Sequence, residues 1–560
     1  MSDKNNEELK RQASENTLGL NPVIGIQSRD LLASARMVLA QALKQPFHSA
    51  KHAAHFGLEL KNVMLGQSRL QPDEGDRRFN DPTWSQNPLY RRYLQAYLAW
   101  RKELHDWIEH SSLSEQDASR GHFVINLMTE AMAPTNSMAN PAAVKRFFET
   151  GGKSLLDGLS HLAKDLVHNG GLPSQVNMAA FEVGKNLATT EGAVVFRNDV
   201  LELIQYRPIT EKVHERPLLV VPPQINKFYV FDLSPDKSLA RFLLRNHIQT
   251  FIVSWRNPTP TNREWGLTTY IEALKEAIEV VCTITGSKDV NTLGACSGGI
   301  TVAALLGHLA ALGTQKINAV TQVVSVLDFS LDTQIALFAD EKTLEAAKRR
   351  SYQAGVLEGK DMAKVFAWMR PNDLIWNYWV NNYLLGNEPP VFDILYWNND
   401  TTRLPAAFHG ELVEMFKHNP LLRPNALEVC GTPIDLSQVK TDIYCVAGTT
   451  DHITPWETCY KSSLLFSGCN VEFILSNSGH IQSILNPPGN LKARFSTNSE
   501  RPSSPREWLE GATKHADSWW LHWQSWLSAR SGEQKNAPRT LGSRKYPAGE
   551  ASPGTYVHER

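Results

Sequence analysis

After about Ala193 the chain settles into short, β-branched apolar runs, most of them followed by a stretch of helical periodicity. The runs are "DVLELIQYRP", "RPLLVVPP", "QTFIVSWRNP", "VNTLGACS", "VTQVVSVLDF", "TDIYCVAGTTD" and "VEFILSNSGH". Continuous Val/Ile/Leu runs of this length suit strands covered on both faces. Strands that alternate with helices predict an α/β architecture with a mostly parallel, doubly wound sheet. One interval breaks the rhythm. Roughly a hundred residues, from about Ser330 to Val439, separate the fifth and sixth runs, too many for a plain loop. This insert carries "KVFAWMRPNDLIWNYWVNNYLL" and "FDILYWNND". We expect a cap over about 330–440, lying on the carboxyl edge of the sheet where doubly wound folds place their ligands.

The chain before the first strand, residues 1–190, reads as mainly helical. Residues 1–20 are polar, and from about Ser28 to Leu65 the apolar positions Leu32, Ala35, Leu39, Ala42 and Leu43 recur at helical spacing. "LYRRYLQAYLAWRKELHDWIE" and "PAAVKRFFETGGKSLLDGLSHLAKDL" continue the pattern. Two readings of this region stand: its helices pack on one another and on the main domain, or part of it meets a hydrophobic surface or a partner chain. At the other end, Trp519, Trp523 and Trp526 share one helical face and are expected to pack on the sheet. Residues 531–560 are rich in Gly, Pro, Ser and charge and read as a polar tail, leaving 191–530 as the main domain.

Charge excludes one class of partner. With 57 basic and 58 acidic residues the net charge is -1, which supplies no field to gather nucleic acid. Six cysteines in 560 residues, none in a CxxC pair, suit neither a disulfide framework nor a zinc site and fit a reducing cytoplasm. The first twenty residues contain no apolar core of a secretory leader. No run approaches the ~18–20 apolar residues of a membrane span, so any contact with lipid is expected to be peripheral.

The chemistry concentrates at "LGACSGGI". A buried strand, "VNTL", runs into Gly294-Ala295-Cys296-Ser297-Gly298-Gly299, and a helical run, "GGITVAALLGHLAAL", leaves it. That is the setting of a nucleophile elbow, a turn so tight that its flanking residues must be glycine. With Cys296 central, both flanks (Gly294 and Gly298) are glycines. With Ser297 central they are Ala295 and Gly299, a poorer fit. Folds that use this elbow order their triad nucleophile, acid, histidine along the chain. Downstream, Asp451 ends one strand and His480 ends the next. Cys296, Asp451 and His480 are therefore the candidate catalytic triad of an α/β-hydrolase fold with a cap insertion. Asp328, in "SVLDF", is a competing acid. His452, adjacent to Asp451, comes too early for the base and is expected to line the pocket. The backbone N–H of Ser297 and one from the loop "PPQINKFY" should form the oxyanion hole. Pro222 and Pro223 have no N–H to give, which leaves Ile225 or a neighbour. A thiol nucleophile forms a thioester, so its exchange with a thioester donor such as an acyl-CoA is nearly thermoneutral, and transfer onward to an alcohol runs downhill. Under a water-excluding cap this suggests acyl transfer rather than hydrolysis.

Several stretches also resemble a known family: "GACSGG", "VVPPQINKFYVFDLSPDKS", "FIVSWRNP", "YWNNDTTRLP", "GTTDHITPW", "SNSGHIQSILNPP" and, upstream, "EAMAPTNSMANPAAVKR". The chain resembles the polyhydroxyalkanoate synthases, most closely the medium-chain-length, class II enzymes of pseudomonads, over nearly its whole length. The resemblance implies that Cys296 carries the acyl chain with Asp451 and His480 completing the triad. It implies polymerisation of (R)-3-hydroxyacyl-CoA to polyester with release of CoA, no metal and no cofactor. It also implies a homodimer in the cytoplasm at the surface of polyester granules. The cap aromatics Trp376, Tyr378, Trp379 and Trp397 are candidate walls of an acyl tunnel, and equally candidates for cap core or a dimer contact. A thioesterase or lipase-like hydrolase is the rival enzyme on the same scaffold, and a granule-surface binder with a degenerate site is the non-enzymatic rival.

Overall fold

A computed structural model describes residues 28–169, 171–330, 341–359 and 371–560. The expectation for the polar residues 1–20, and part of the aromatic insert, lie outside them. Ten strands form one sheet: β1 (Gly192–Arg197), β2 (Leu201–Tyr206), β3 (Leu218–Val221), β4 (Thr250–Trp255), β5 (Val290–Ala295), β6 (Ile317–Val323), β7 (Asp442–Gly448), β8 (Val471–Ser476), β9 (Arg494–Thr497) and β10 (Thr513–Ala516). Their spatial order is β1-β2-β4-β3-β5-β6-β7-β8-β9-β10. The six central strands, β4 to β8 in that order, are parallel. Two antiparallel strands flank them on each side. This is the α/β-hydrolase fold. The parallel strands are the continuous apolar runs of the sequence: every residue of β3, β4 and β5 is buried, because helices cover both faces. The outer strands β9 and β10 carry no such run. β10, "TKHA", is largely exposed and places Lys514 on the open edge, where a charge discourages pairing with another chain.

The tryptophan helix Trp519–Ser528 buries Trp519, Trp520 and Trp523 almost completely. Trp523 Nε1 donates to Thr321 Oγ1 of β6 at 2.8 Å. Trp519 and Trp520 donate to the carbonyls of Ser483 and Ile484, and so pin the short helix His480–Ile484 from below. Trp520 was not on the expected core face; it is buried against Phe242.

Before the sheet, the stretch Ser28–Leu65 forms two helices, Ser28–Lys44 and Pro46–Leu65. Proline takes the first position of the second helix, where its missing N–H costs nothing. Helix Pro88–Glu109 is capped by Asn87, whose Oδ1 accepts from the N–H groups of Leu89 and Tyr90. "PAAVKRFFETGGKSLLDGLSHLAKDL" is two helices, Pro141–Glu149 and Lys153–His168, broken where Gly151 and Gly152 take positive φ. These helices bury small cores of their own, one around Trp84, Leu94 and Tyr97 and another around Trp107, Ile108 and Ile125. Leu43, Phe47, Leu58 and Met64 remain exposed on the first two.

The insert lies between these helices and the sheet. Tyr383 donates to Asp165 Oδ2 at 2.7 Å, and His161 Nδ1 lies 3.1 Å from the Asn382 carbonyl. On the other side, Trp397 Nε1 donates to the Lys227 carbonyl at 2.7 Å and Thr402 Oγ1 to the Gln224 carbonyl at 2.9 Å. The insert therefore docks on the loop that follows β3 at the carboxyl edge.

Residues 531–560 are polar in composition, but they are not a free tail. Gln534–Asn536 pairs with Lys212–His214. The fully buried carboxylate of Glu202 in β2 accepts from Thr555 N, Thr555 Oγ1 and Tyr556 N. The segment closes against the β1 edge, where Ala193 bridges Ala551. Its anchors are single polar groups, backbone and isolated apolar side chains such as Val557, which leave no periodic trace in the composition.

Candidate active site

Cys296 follows β5 and precedes the buried helix Ser297–Ala311. Its backbone has φ 50 and ψ -121, a conformation that L residues avoid and that costs of order 1–3 kcal/mol. Surrounding contacts hold it there. The Cys296 N–H donates to the Val323 carbonyl at 3.0 Å. A Cβ on Gly298 would lie 2.4 Å from the Val221 carbonyl oxygen, and one on Gly299 would lie 1.9 Å from Ser325 Oγ. The glycines are thus required by the close approach of the elbow to β3 and β6. The strained position belongs to Cys296 and not to Ser297, which begins the helix.

Asp451 and His480 leave β7 and β8 at the same edge. His480 Nδ1 stands 2.7 Å from Asp451 Oδ2, and both side chains are buried. Cys296 is the third member, close enough for its thiol to contribute to the raising of His480. The three residues singled out in the sequence are brought together as a connected row. Asp451 Oδ1 accepts the N–H groups of Ile453 and Thr454, each at 2.9 Å, and Oδ2 also accepts Thr454 Oγ1 at 2.6 Å. Burial works against the carboxylate, but the facing His480 and these donors hold Asp451 below its ordinary range. Burial likewise works against the imidazolium. The Asp451 charge and hydrogen bond, with the Cys296 thiol, outweigh it and hold His480 above its ordinary value. A raised histidine beside a lowered aspartate is the signature of a base whose protonated form the site is built to stabilise.

Thr454 escaped the sequence reading. It lies 3.1 Å from His480 Nδ1 as well as bonding Asp451. The signal in "DHIT" is an aspartate that caps its own backbone two and three residues on, which orients the carboxylate before the histidine arrives.

Asp328, the competing acid, is engaged elsewhere. Its Oδ1 accepts from the Ser330 N–H at 2.9 Å, from the Ser330 hydroxyl and from Asn419 Nδ2 at 3.0 Å. It ties the start of the insert to its later half. In the loop after β3, Gln224 N donates to Ser297 Oγ at 3.2 Å, and Gln224 Nε2 donates to Thr301 Oγ1 at 2.8 Å. The Ser297 side chain thus couples the elbow helix to that loop, a role the sequence did not suggest. Ile225 is buried beside Gln224. His452 follows Asp451 and is half-buried. Trp397 is fully buried, in the apolar cluster that also contains Cys296 and Tyr378. Trp379 is placed differently from the expected pocket wall. Its Nε1 donates to the Asn136 carbonyl at 3.1 Å, and its ring packs on Trp376 and Tyr383, so it serves the contact between insert and N-terminal helices. Cys459, near Thr454, is a buried thiol that desolvation, then the Asp451 charge, push well above its ordinary range.

Over its full 560 residues the chain is 78% identical to poly(3-hydroxyalkanoate) polymerase 1 of Ectopseudomonas oleovorans, covering 100% of both chains. It belongs to the poly(3-hydroxyalkanoate) polymerase family. Polymerase 2 of the same organism is 57% identical over 96% of each chain. The poly(3-hydroxyalkanoate) polymerase subunit PhaC of Cupriavidus necator is 38% identical over 95% of this chain and 91% of its own. The family described as "Poly-beta-hydroxybutyrate polymerase (PhaC) N-terminus" matches residues 75–243, and the α/β-hydrolase fold family matches 217–487. The first of these spans the boundary between the helical region and the sheet, so both belong to one polymerase architecture. No helix among the described residues is long and apolar enough to cross a membrane.

Proposed function

We propose that this polymerase joins (R)-3-hydroxyacyl groups from their CoA thioesters into polyester, releasing CoA, through a thioester on Cys296. The observation that carries the reading is a thiol, not a hydroxyl, at the strained elbow, beside a His480 that is hydrogen-bonded to Asp451. His480 takes the Cys296 proton and the thiolate attacks the acyl carbonyl. The C–S bond to CoA breaks as CoA takes the proton back from His480, leaving an acyl thioester on Cys296. His480 then accepts the proton of a 3-hydroxyl group, whose oxygen attacks a thioester carbonyl. An ester bond forms and a thiolate is released and reprotonated. Each cycle adds one unit and frees one CoA, with no metal or redox cofactor in the balance. The oxyanion is assigned to the Ser297 N–H, which as the first helical residue has no intrahelical acceptor, together with Ile225. Gln224 N–H already serves Ser297 Oγ. Medium-length acyl chains, a homodimer and a place on cytoplasmic granules rest on the family resemblance and belong to the same proposal, with His452 and Trp397 as pocket residues.

The test gives purified protein a medium-chain (R)-3-hydroxyacyl-CoA and follows free CoA, polymer and the mass of the Cys296 peptide. CoA release with insoluble polyester and an acyl adduct on Cys296 is expected. Free hydroxy acid in step with CoA and no polymer would identify a thioesterase instead. Unchanged turnover in Cys296→Ala would remove the thiol from the mechanism.

A further inference from the structure

The N-terminal helices carry a cluster of side chains that polymerisation does not use. His52 and His55 lie one turn apart on helix Pro46–Leu65, and Glu103 reaches them from helix Pro88–Glu109, packed against it. His52 Nδ1 is 2.9 Å from Glu103 Oε2. One ligand atom from each of the three residues lies within 4.8 Å of the other two. Two further imidazoles flank the group. The His48 ring is 4.6 Å from that of His52 and the His110 ring 6.3 Å. Each has one nitrogen fixed on backbone, His48 Nε2 at the Trp107 carbonyl and His110 Nδ1 at the Asp106 carbonyl.

We propose that His52, His55 and Glu103 bind one divalent transition-metal ion of the zinc class that bridges the two helices. Two imidazole nitrogens and one carboxylate oxygen form a borderline donor set that suits zinc; magnesium and calcium take oxygen ligands. Ligands at ~2.0–2.2 Å from a tetrahedral ion stand roughly 3.3–3.5 Å apart. The His52–Glu103 pair therefore needs to open by only a few tenths of an ångström, with His55 closing the third side by rotation of an exposed ring. The ion takes the place of the hydrogen between His52 and Glu103, and that proton passes to the buffer. The fourth position is left to water. A bridge here has a structural consequence. Within helix Pro46–Leu65 only Val63 is buried, so apolar packing anchors this helix thinly and a metal link adds what the core does not.

The experiment uses the untagged full-length chain as Cys296→Ala, so that the active-site thiol does not compete for metal. Zn²⁺ is titrated after chelator treatment and dialysis, with Mg²⁺ as control, and amide exchange of residues 46–65 is followed with and without Zn²⁺. One Zn²⁺ per chain with Kd tighter than about 100 μM is expected, with no Mg²⁺ response. His52→Ala and His55→Ala should each weaken binding by about tenfold or more, as should the milder Glu103→Gln. Exchange in 46–65 should slow with Zn²⁺ in the parent and not in the variants. No binding at that level, or binding unchanged by all three substitutions, would overturn the site and leave His52 and Glu103 as a plain hydrogen-bonded pair. The residues are exposed or half-buried, and circular dichroism of each variant separates lost binding from lost fold.

Discussion

Replacing Asp451 by asparagine tests the row of side chains at its most informative point. The carboxylate has four acceptor duties: Oδ1 takes the Ile453 and Thr454 N–H groups, and Oδ2 takes Thr454 Oγ1 and His480 Nδ1. An asparagine must place its NH2 on one side. Toward the backbone it would face two N–H donors at 2.9 Å and lose two charge-assisted bonds, at about 1.5–3 kcal/mol each. Toward His480 it meets Thr454, whose hydroxyl can turn to accept, and the imidazole. The second orientation is cheaper, and it forces Nδ1 to present its lone pair. The ring proton then sits on Nε2, facing Cys296, where it cannot receive another. In serine triads the same change lowers kcat about 10⁴-fold; a thiol ionises more readily than a hydroxyl, so we expect a loss between about 10² and 10⁴. At about 1.4 kcal/mol per decade that is roughly 3–5.5 kcal/mol of barrier. Initial CoA release measures it, with single-turnover acylation of Cys296 showing whether the first step carries the loss. Asp328→Asn, which touches only the Ser330 and Asn419 contacts, should stay within about threefold of the parent. A folded Asp451→Asn variant within tenfold of the parent, or an Asp328→Asn variant that loses more, would refute the reasoning.

Three further outcomes follow from the same geometry. Gly298→Ala places a Cβ 2.4 Å from the Val221 carbonyl and 2.5 Å from that of Pro222, so turnover should fall at least about tenfold and stability by about 1–3 kcal/mol; Gly410→Ala, with nothing within 4 Å of its Cβ, should leave both intact. Lys227→Met removes a buried cation that stands 3.0 Å from Asp400 and donates to the Val557 and Glu559 carbonyls; denaturant unfolding should show a loss of about 3–5 kcal/mol, partly recovered when Asp400→Asn is added. The third concerns pH. His480 is raised above 6.5, so its stabilising share is complete below pH 6.5 and drains away as pH rises through the raised value; Asp451 is lowered below 3.8, so its share is present above pH 3.8 and is lost as pH falls through the lowered value. The thermal stability advantage of the parent over His480→Gln should therefore be larger at pH 6 than in the alkaline range, and an advantage that grows with pH would contradict the assignment.

Much of this protein was legible in one dimension. The apolar runs became β2 to β8 because burial on both faces writes itself into consecutive residues. The elbow was legible because a turn that brings backbone within contact of two neighbouring strands admits only glycine at its flanks, and the order of Cys296, Asp451 and His480 because each ends a strand. The rest was decided by groups far apart in the chain. Strands β9 and β10, of four residues each, are too short and too polar to announce themselves. The last thirty residues look like a tail, yet dock through Glu202 and the carbonyls that Lys227 reaches. Trp379 carries the same aromatic signal as Trp397, and only the packing of the N-terminal helices sends one to Asn136 and the other to the core beside Cys296. Local periodicity records which residues are buried. Which partner a buried or polar group meets depends on chain segments hundreds of residues apart, and that pairing exists only once the sheet, insert and N-terminal helices have closed on one another.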